Sequence, residues 1–310
     1  SIRTRSYDNA QNIDLDLTKL TKLKAVKVDV TKWNMKFPVS LNSYTSDGCA
    51  GIHDFTLCKN LSVLSWSFSQ PTLEEYKEIF STIVNNENTE LSIRCTQGGI
   101  KGEFIDLTSL KDSNVKSIEI SSRADRTNNG IKKLITSSDI PNLKYIQVKD
   151  MKDLETIELN SLTNLTNISI SNSNINSLDG IRQVSTLKEV NINNSSIGNL
   201  GDLTILADIE NLNLSSNNIA DISSISVLSN LKTLNLSNNN ISNLTPLNNL
   251  TNLQNLNLSN NAIENYYFSF NNIDVLKNLN KNKLTQLNIS GNNFSDTSEL
   301  KKLKWNSYTE

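Results

Sequence analysis

The 310-residue sequence reads as an α/β solenoid, a stack of similar turns that each contribute one strand to a parallel sheet. Three observations carry that reading. A fixed period runs through the middle of the chain, each period holds an alternating pair of inward aliphatics, and the apolar content is low for a globular core. Hydrophobic residues make up 36% of the chain, with 4 Pro and 10 Gly, and Asn is abundant. Such a composition suits a solenoid, in which each turn buries one narrow apolar stripe against its neighbours.

The period is 22 residues. LTNISISNSNI starts at Leu165, LKEVNINNSSI at Leu187, IENLNLSSNNI at Ile209, LKTLNLSNNNI at Leu231 and LQNLNLSNNAI at Leu253, each start 22 residues after the last. Self-similarity at this spacing signals a repeat architecture. Within L-x-x-L-x-L-x-x-N-x-I, positions 4 and 6 alternate as in a short strand, so two aliphatics point inward and the residues between face out. Position 9 (Asn217, Asn239, Asn261) falls where the chain leaves the strand. An inward amide there can bond the backbone of adjacent turns, so stacked asparagines predict a ladder. Ser173 and Ser195 hold that position in two earlier repeats, where a hydroxyl makes fewer bonds. Leu244, Leu247 and Leu250 line the return path on the convex side.

These repeats resemble those of the internalin-type leucine-rich-repeat proteins of low-GC bacteria. The segment LKTLNLSNNNISNLTPLNNLTNL (Leu231 to Leu253) is close to that family's repeat, including Pro246 in the return. The match covers about Leu143 to Ile263, with one further repeat at LTQLNISGNNF from Leu284. The resemblance implies a right-handed leucine-rich-repeat solenoid with a parallel concave sheet, secreted or attached to the cell surface, that binds a host or matrix protein. That family's helical N-terminal cap is not recognisable here.

Upstream the strands persist at looser spacing. LKAVKVDV (Leu23 to Val30), LSVLSWSF (Leu61 to Phe68), TELSIRC and VKSIEIS carry the alternation, and position 4 moves from Leu64 to Leu91 to Ile118, steps of 27. Longer repeats leave room for a helix on the convex side. PTLEEYKEIFSTIVNN supplies one, with Pro71 in the first turn and Leu73, Tyr76, Phe80 and Ile83 at helical spacing. The expected organisation is thus one solenoid over 1–310. Irregular, longer, helix-bearing repeats occupy 1–142, regular 22-residue repeats 143–263, an insertion 264–283, and the last repeat with a C-terminal cap 284–310.

Two segments break the period. Between Val28 and Leu64 the chain runs through WNMKFPVSLNSYTSDGCAGIHDF, longer than one repeat, which suggests a divergent turn with a protruding loop near Ser46 to Gly51. After Ile263 the next repeat starts 31 residues beyond Leu253, and the added ENYYFSFNN holds Tyr266, Tyr267, Phe268 and Phe270. These aromatics either form an exposed patch for a partner or fold back over the convex side. At the end, SELKKLKW reads as a short amphipathic helix in which Leu300, Leu303 and Trp305 close the last turn.

Signals for catalysis, cofactors and metals are absent from the sequence. The one histidine, His53, reads as a loop residue at the surface or in a hydrogen bond, with no nucleophile motif to serve. One His and three scattered Cys match no metal-ligand spacing. Asp14 and Asp16 in IDLDL alternate like a strand edge and lack the Gly and terminal Glu of a calcium loop. Cys49 and Cys58 either close a small disulfide loop or remain buried thiols, like Cys95. The formal net charge is -2, which gives no global footprint for nucleic acid or an anionic membrane. No apolar run approaches the ~20 residues of a membrane span. The start lacks a signal-peptide core, as expected of a trimmed chain that opens on Ser.

Recognition of a protein is what remains. On the regular half, position 5 (Ser169, Asn191, Asn213, Asn235, Asn257, Asn288) and position 7 (Ser171, Asn193, Ser215, Ser237, Ser259, Ser290) make a short, neutral face without the Trp, Tyr and Arg of binding hot spots. The irregular half is more varied, with Lys27, Asp29, Ser65, Ser67, Arg94, Glu119, Tyr145, Gln147 and Lys149. The candidate partner-binding residues are therefore Arg94, Glu119, Tyr145, Gln147 and Lys149, together with Tyr266, Tyr267, Phe268 and Phe270. The reading is a monomeric, non-catalytic binding module at a bacterial surface. Its alternatives are a cytoplasmic scaffold of the phosphatase-regulator kind and the substrate-recognition part of a larger enzyme.

Overall fold

The computed structural model describes residues 2–5, 13–29, 33–47, 53–68, 81–83, 90–95, 104–111, 113–122, 130–136, 139–160, 162–264 and 272–310. The chain divides into two compact units, 1–165 and 166–310. The expected Pro71 helix lies outside the described residues except at 81–83, where 81–82 are helical and Ile83 is fully buried.

In the first unit, β1 (Ile2–Arg5), β3 (Ala25–Asp29), β5 (Ser43–Asp47), β7 (Val63–Phe68), β8 (Glu90–Cys95), β10 (Ser117–Ser122) and β12 (Tyr145–Lys149) pair in that order, all parallel. The register aligns Val26, Tyr44, Leu64, Leu91, Ile118 and Ile146. The expected steps of 27 from Leu64 to Leu91 to Ile118 are the observed ones. The stretch between Val28 and Leu64 is not a single divergent turn. It contains a full repeat whose strand, β5, carries Tyr44 and Ser46 inward where aliphatics would stand, and both are buried. Ser46 therefore belongs to the sheet rather than to a loop.

The return segments of this unit also form strands. β2 (Ile13–Asp16), β4 (Trp33–Lys36) and β6 (His53–Asp54) make one three-stranded parallel sheet. β9 (Phe104–Asp106), β11 (Lys133–Thr136) and β13 (Thr156–Leu159) make another. Alternation explains this, because Leu15, Met35 and His53 share one register row while Asp16, Lys36 and Asp54 share the next. Period-2 patterning selects strand over helix.

Between the sheets of the first repeats lies an aromatic cluster. Phe37 stacks on Phe55 with centroids 4.8 Å apart, and Tyr44 meets both rings edge-on. His53 is buried at its centre, in a strand and not in a loop. Its Nε2 lies 3.0 Å from the Trp33 carbonyl and its Nδ1 2.9 Å from the Tyr44 hydroxyl. A carbonyl can only accept, so Nε2 carries the proton and Nδ1 accepts from Tyr44. Burial pushes the imidazole pKa down to about 4. Cys58 is a buried free thiol whose Sγ lies 3.4 Å from the Pro38 carbonyl, and burial pushes it up to about 12. Cys49 falls outside the described residues.

In the second unit, β14 (Asn167–Ser171), β15 (Glu189–Asn193), β16 (Asn211–Asn213), β17 (Thr233–Asn235), β18 (Asn255–Asn257), β19 (Gln286–Asn288) and β20 (Ser307–Thr309) form the parallel sheet. Its returns include 3-10 turns at Thr204–Leu206, Ser223–Val227 and Thr245–Asn249. The asparagine ladder forms as expected. Asn239 Nδ2 donates to the carbonyls of Leu214, Leu236 and Ser237, and its Oδ1 accepts from the Ile219 N–H at 3.0 Å. Asn217, Asn261 and Asn292 repeat the arrangement. Ser173 and Ser195 each reach one carbonyl, at 3.4 Å.

The longer repeat after Ile263 carries a helix that the period alone does not reveal. Helix α1 (Asn272–Asn282) buries Val275, Leu276 and Leu279, and its Asn272 bonds Ser242, Leu244 and Glu264 backbone groups. The aromatics Tyr266, Tyr267, Phe268 and Phe270 lie outside the described residues. At the C-terminus, α2 (Ser298–Lys301) buries Leu300, and Trp305 Nε1 donates to the Leu300 carbonyl at 2.8 Å. One more strand follows. β20 places Tyr308 beside Leu287 and stacks it on Trp305. Glu310 accepts from Lys301, Thr297 and Tyr308, which together hold its carboxyl down to about 2.

Candidate protein-binding face

In a parallel sheet the side chains between the inward residues stand on the opposite face, in rows that run across the strands. The backbone register of the first unit defines three such rows of positions. One runs Ala25, Ser43, Val63, Glu90, Ser117, Tyr145, and the next Arg3, Lys27, Thr45, Ser65, Ser92, Glu119, Gln147. The third includes Ser67, Arg94, Ser121 and Lys149. The register therefore brings Tyr145, Gln147 and Lys149 onto one strand, with Glu119 beside Gln147 and Arg94 two strands from Lys149. Tyr145, Gln147, Lys149 and Glu119 are half-buried. Lys149 Nζ lies 3.9 Å from Glu119 Oε1, a surface pair that contributes little to stability and leaves both charges accessible. An aromatic, an amide and both signs of charge thus stand within two adjacent strands.

The corresponding face of the second unit satisfies itself. Asn235 Oδ1 accepts from the backbone N–H of Ser237 at 3.1 Å and from its hydroxyl at 2.8 Å. Asn257 with Ser259 and Asn288 with Ser290 do the same. Here the asparagine turns the chain off the sheet two residues later, the side-chain mimic of a backbone turn. Wherever Asn at position 5 is followed by Ser at position 7, the strand is three residues long, as in β16 to β19. β14 and β15 lack that pair and run to five.

The next residue in each turn adopts a left-handed conformation: Asn172, Asn194, Ser216, Asn238 and Asn260 have φ between 50° and 56°, and Gly291 has 69°. Asparagine tolerates this region better than most residues. The exposed amides also stack, Asn194 Nδ2 donating to Asn172 Oδ1 at 2.5 Å and Asn260 Nδ2 to Asn238 Oδ1 at 2.9 Å.

A groove of about 630 Å³ opens on the second sheet of the first unit, lined by Asp14, Asp16, Asn34, Lys36, Asp54 and Thr82 among others. Its polar groups are largely engaged. Asn34 donates to Asp14 at 2.8 Å, Thr56 N–H donates to Asp54, and Thr18 hydroxyl and N–H hold Asp16 below the usual carboxylate range. Among the described residues no group of three or more His, Cys, Asp or Glu is placed to hold a metal ion.

Comparison with known proteins agrees with this architecture. Residues 207–249 and 229–266 match the family of leucine-rich repeats, taken two copies at a time. The fold is a leucine-rich-repeat solenoid. No curated protein matches the chain. Among solved structures, an internalin from Listeria monocytogenes is similar over 87% of this chain and 80% of its own, at 21% identity and a TM-score of 0.50. An internalin C2 from the same organism aligns with 55% of this chain and 72% of its own, at 26% identity and a TM-score of 0.44. TLR13, solved in complex with a single-stranded RNA, is similar over 86% of this chain and 39% of its own, at 17% identity and a TM-score of 0.58. The chain is therefore similar in fold to an internalin. No helix among its described residues is long and apolar enough to cross a membrane.

Proposed function

We propose that this leucine-rich-repeat protein is a non-catalytic binding module, secreted or displayed at a bacterial surface, that recognises a host or matrix protein. The observation that carries the proposal is the contrast between the two strand faces. In the second unit the amide oxygens close the chain's own turns, whereas in the first unit Tyr145, Gln147, Lys149 and Glu119 stand together on a varied surface. Binding energy concentrates in a few aromatic and basic anchors, and Tyr145 with Arg94 and Lys149 supplies that chemistry. The second unit then serves as a rigid spacer. The aromatic segment Tyr266 to Phe270 is a second proposed contact.

The test captures partners from extracellular-matrix and host-surface extracts on immobilised protein and measures affinity for the captured protein. Tyr145→Ala with Lys149→Ala is expected to weaken binding at least about tenfold, or about 1.4 kcal/mol, while Tyr267→Ala with Phe268→Ala reports the second contact. Unchanged affinity in both pairs, with folding intact, overturns the assignment.

A further inference from the structure

On the first unit, the edge that connects the second sheet back to the main sheet has a composition the solenoid core does not require. Residues 17–24 (LTKLTKLK), 37–42 (FPVSLN) and 55–62 (FTLCKNLS) lead into β3, β5 and β7 in turn. Each segment buries the aliphatic or aromatic residues its own turn needs: Leu17 and Leu23, Phe37 and Leu41, Phe55 and Leu61. Each also carries one more aliphatic that stays outside. Leu20 is 45% exposed, Val39 50% and Leu57 53%. Lys19, Lys22, Lys24 and Lys59 on the same segments are exposed as well.

The three segments are stacked and joined by hydrogen bonds. Ser40 Oγ donates to the Leu23 carbonyl at 2.7 Å, Asn60 Nδ2 to the Val39 carbonyl at 3.3 Å, and the Asn42 and Ser62 N–H groups bond Lys24 and Asn42. No acidic residue lies within them. The nearest, Asp16 and Asp54, precede two of the segments and turn back to accept the N–H of Thr18 and Thr56 at 2.9 Å. Among the described residues none of the four lysines is in an ion pair.

We infer that this edge docks on an anionic lipid surface. Charge complementarity requires an acidic occupant, and the remaining chemistry separates a bilayer from a protein. Protein interfaces are enriched in Tyr, Trp and Arg and depleted in Lys, whereas this edge holds lysines and aliphatics with no exposed aromatic. A lipid headgroup layer needs no shaped pocket. It takes up protruding aliphatics and leaves ammonium groups at the level of the phosphates. The contact is peripheral, on a different side of the unit from the strand face, and so independent of the protein-binding proposal.

The test is co-sedimentation of the full chain with vesicles of phosphatidylcholine containing about 30% phosphatidylglycerol, with pure phosphatidylcholine vesicles and soluble polyglutamate as the other arms. Anionic vesicles are expected to bind at least about tenfold more tightly than neutral ones. The triple variant Leu20→Ser, Val39→Ser, Leu57→Ser and the triple variant Lys19→Gln, Lys22→Gln, Lys59→Gln are each expected to lose most of that binding. All six positions are exposed, and circular dichroism checks that both variants keep the fold. Absence of binding to anionic vesicles overturns the inference, as does loss with the lysine variant alone. Capture by polyglutamate without vesicle binding also overturns it and points to an acidic protein segment.

Discussion

Each of the two units builds a parallel sheet, and they do so by opposite means. In the second, a near-invariant 22-residue pattern repeats one solution. An inward asparagine ties its own turn to the one before, a position-5 asparagine ends the strand, and 3-10 turns close the return. In the first, steps of 24, 18, 20, 27, 27 and 28 residues between aligned strands leave no single period, and second sheets and an aromatic cluster replace the ladder. Regularity uses polar side chains internally, and irregularity leaves them available. That is why the block that identifies the fold is also its least specialised surface.

This contrast can be broken at several points. The largest effect is expected at the ladder. Asn239→Ala removes donors to three carbonyls and the acceptor for the Ile219 N–H, so it should cost about 3–4 kcal/mol at ~1–3 kcal/mol per buried unsatisfied group. Ser173→Ala at the equivalent position should cost under about 1 kcal/mol. Urea unfolding of both variants measures the difference, and equal losses would show that the ladder carries no special share of stability.

Acid should act on the first unit through His53. Its folded pKa, about 4, lies below the ordinary 6.5, so between these values the unfolded chain takes up a proton that the fold excludes. Stability is therefore full above about pH 6.5 and falls as the pH drops towards 4, by about 3 kcal/mol at ~1.4 kcal/mol per pKa unit. Hydrogen exchange resolved by unit should show the loss in 1–165, and His53→Gln should remove this pH dependence. A pH profile unchanged by that substitution would contradict the burial of a neutral imidazole.

Smaller effects separate the exposed features. At Gly291 a Cβ would collide with the Asn260 amide oxygen on a left-handed backbone, so Gly291→Ala should lose about 2 kcal/mol. Thermal melting checks it, and Asn260→Gly in the same chain should recover the steric part. Lys149→Ala should change stability by less than about 0.5 kcal/mol, because its partner Glu119 is similarly exposed.

Much of this was legible where side chains repeat. The ladder at Asn217, Asn239 and Asn261 and the alignment of Leu64, Leu91 and Ile118 follow from spacing, because each position has one physical role. β5 was hidden because Tyr44 and Ser46 fill positions where a search for aliphatics finds none. Its trace was the Phe37 and Phe55 pair, each opening a similar return segment. β20 is three residues and lies beyond the last leucine motif, so only the sheet's need for a covered edge points to it. In α1, four asparagines dilute the helical pattern of Val275, Leu276 and Leu279. For the binding face, spacing placed Glu119, Tyr145, Gln147 and Lys149 outward. Their convergence required the register, and the Asn–Ser closure of the other face required the hydrogen bonds.

The most direct test of the account compares the two faces in one binding experiment. Tyr145→Ala with Lys149→Ala alters the first unit's face. Asn191→Ala with Asn193→Ala alters the second's, removing both members of a 2.8 Å hydrogen bond and, besides it, only the 3.3 Å bond from Asn191 Nδ2 to the half-buried Ser169 hydroxyl. Affinity for a captured protein partner should fall at least about tenfold in the first variant and less than about twofold in the second. The reverse order, with the asparagine variant losing the binding, would contradict the assignment of recognition to the irregular unit.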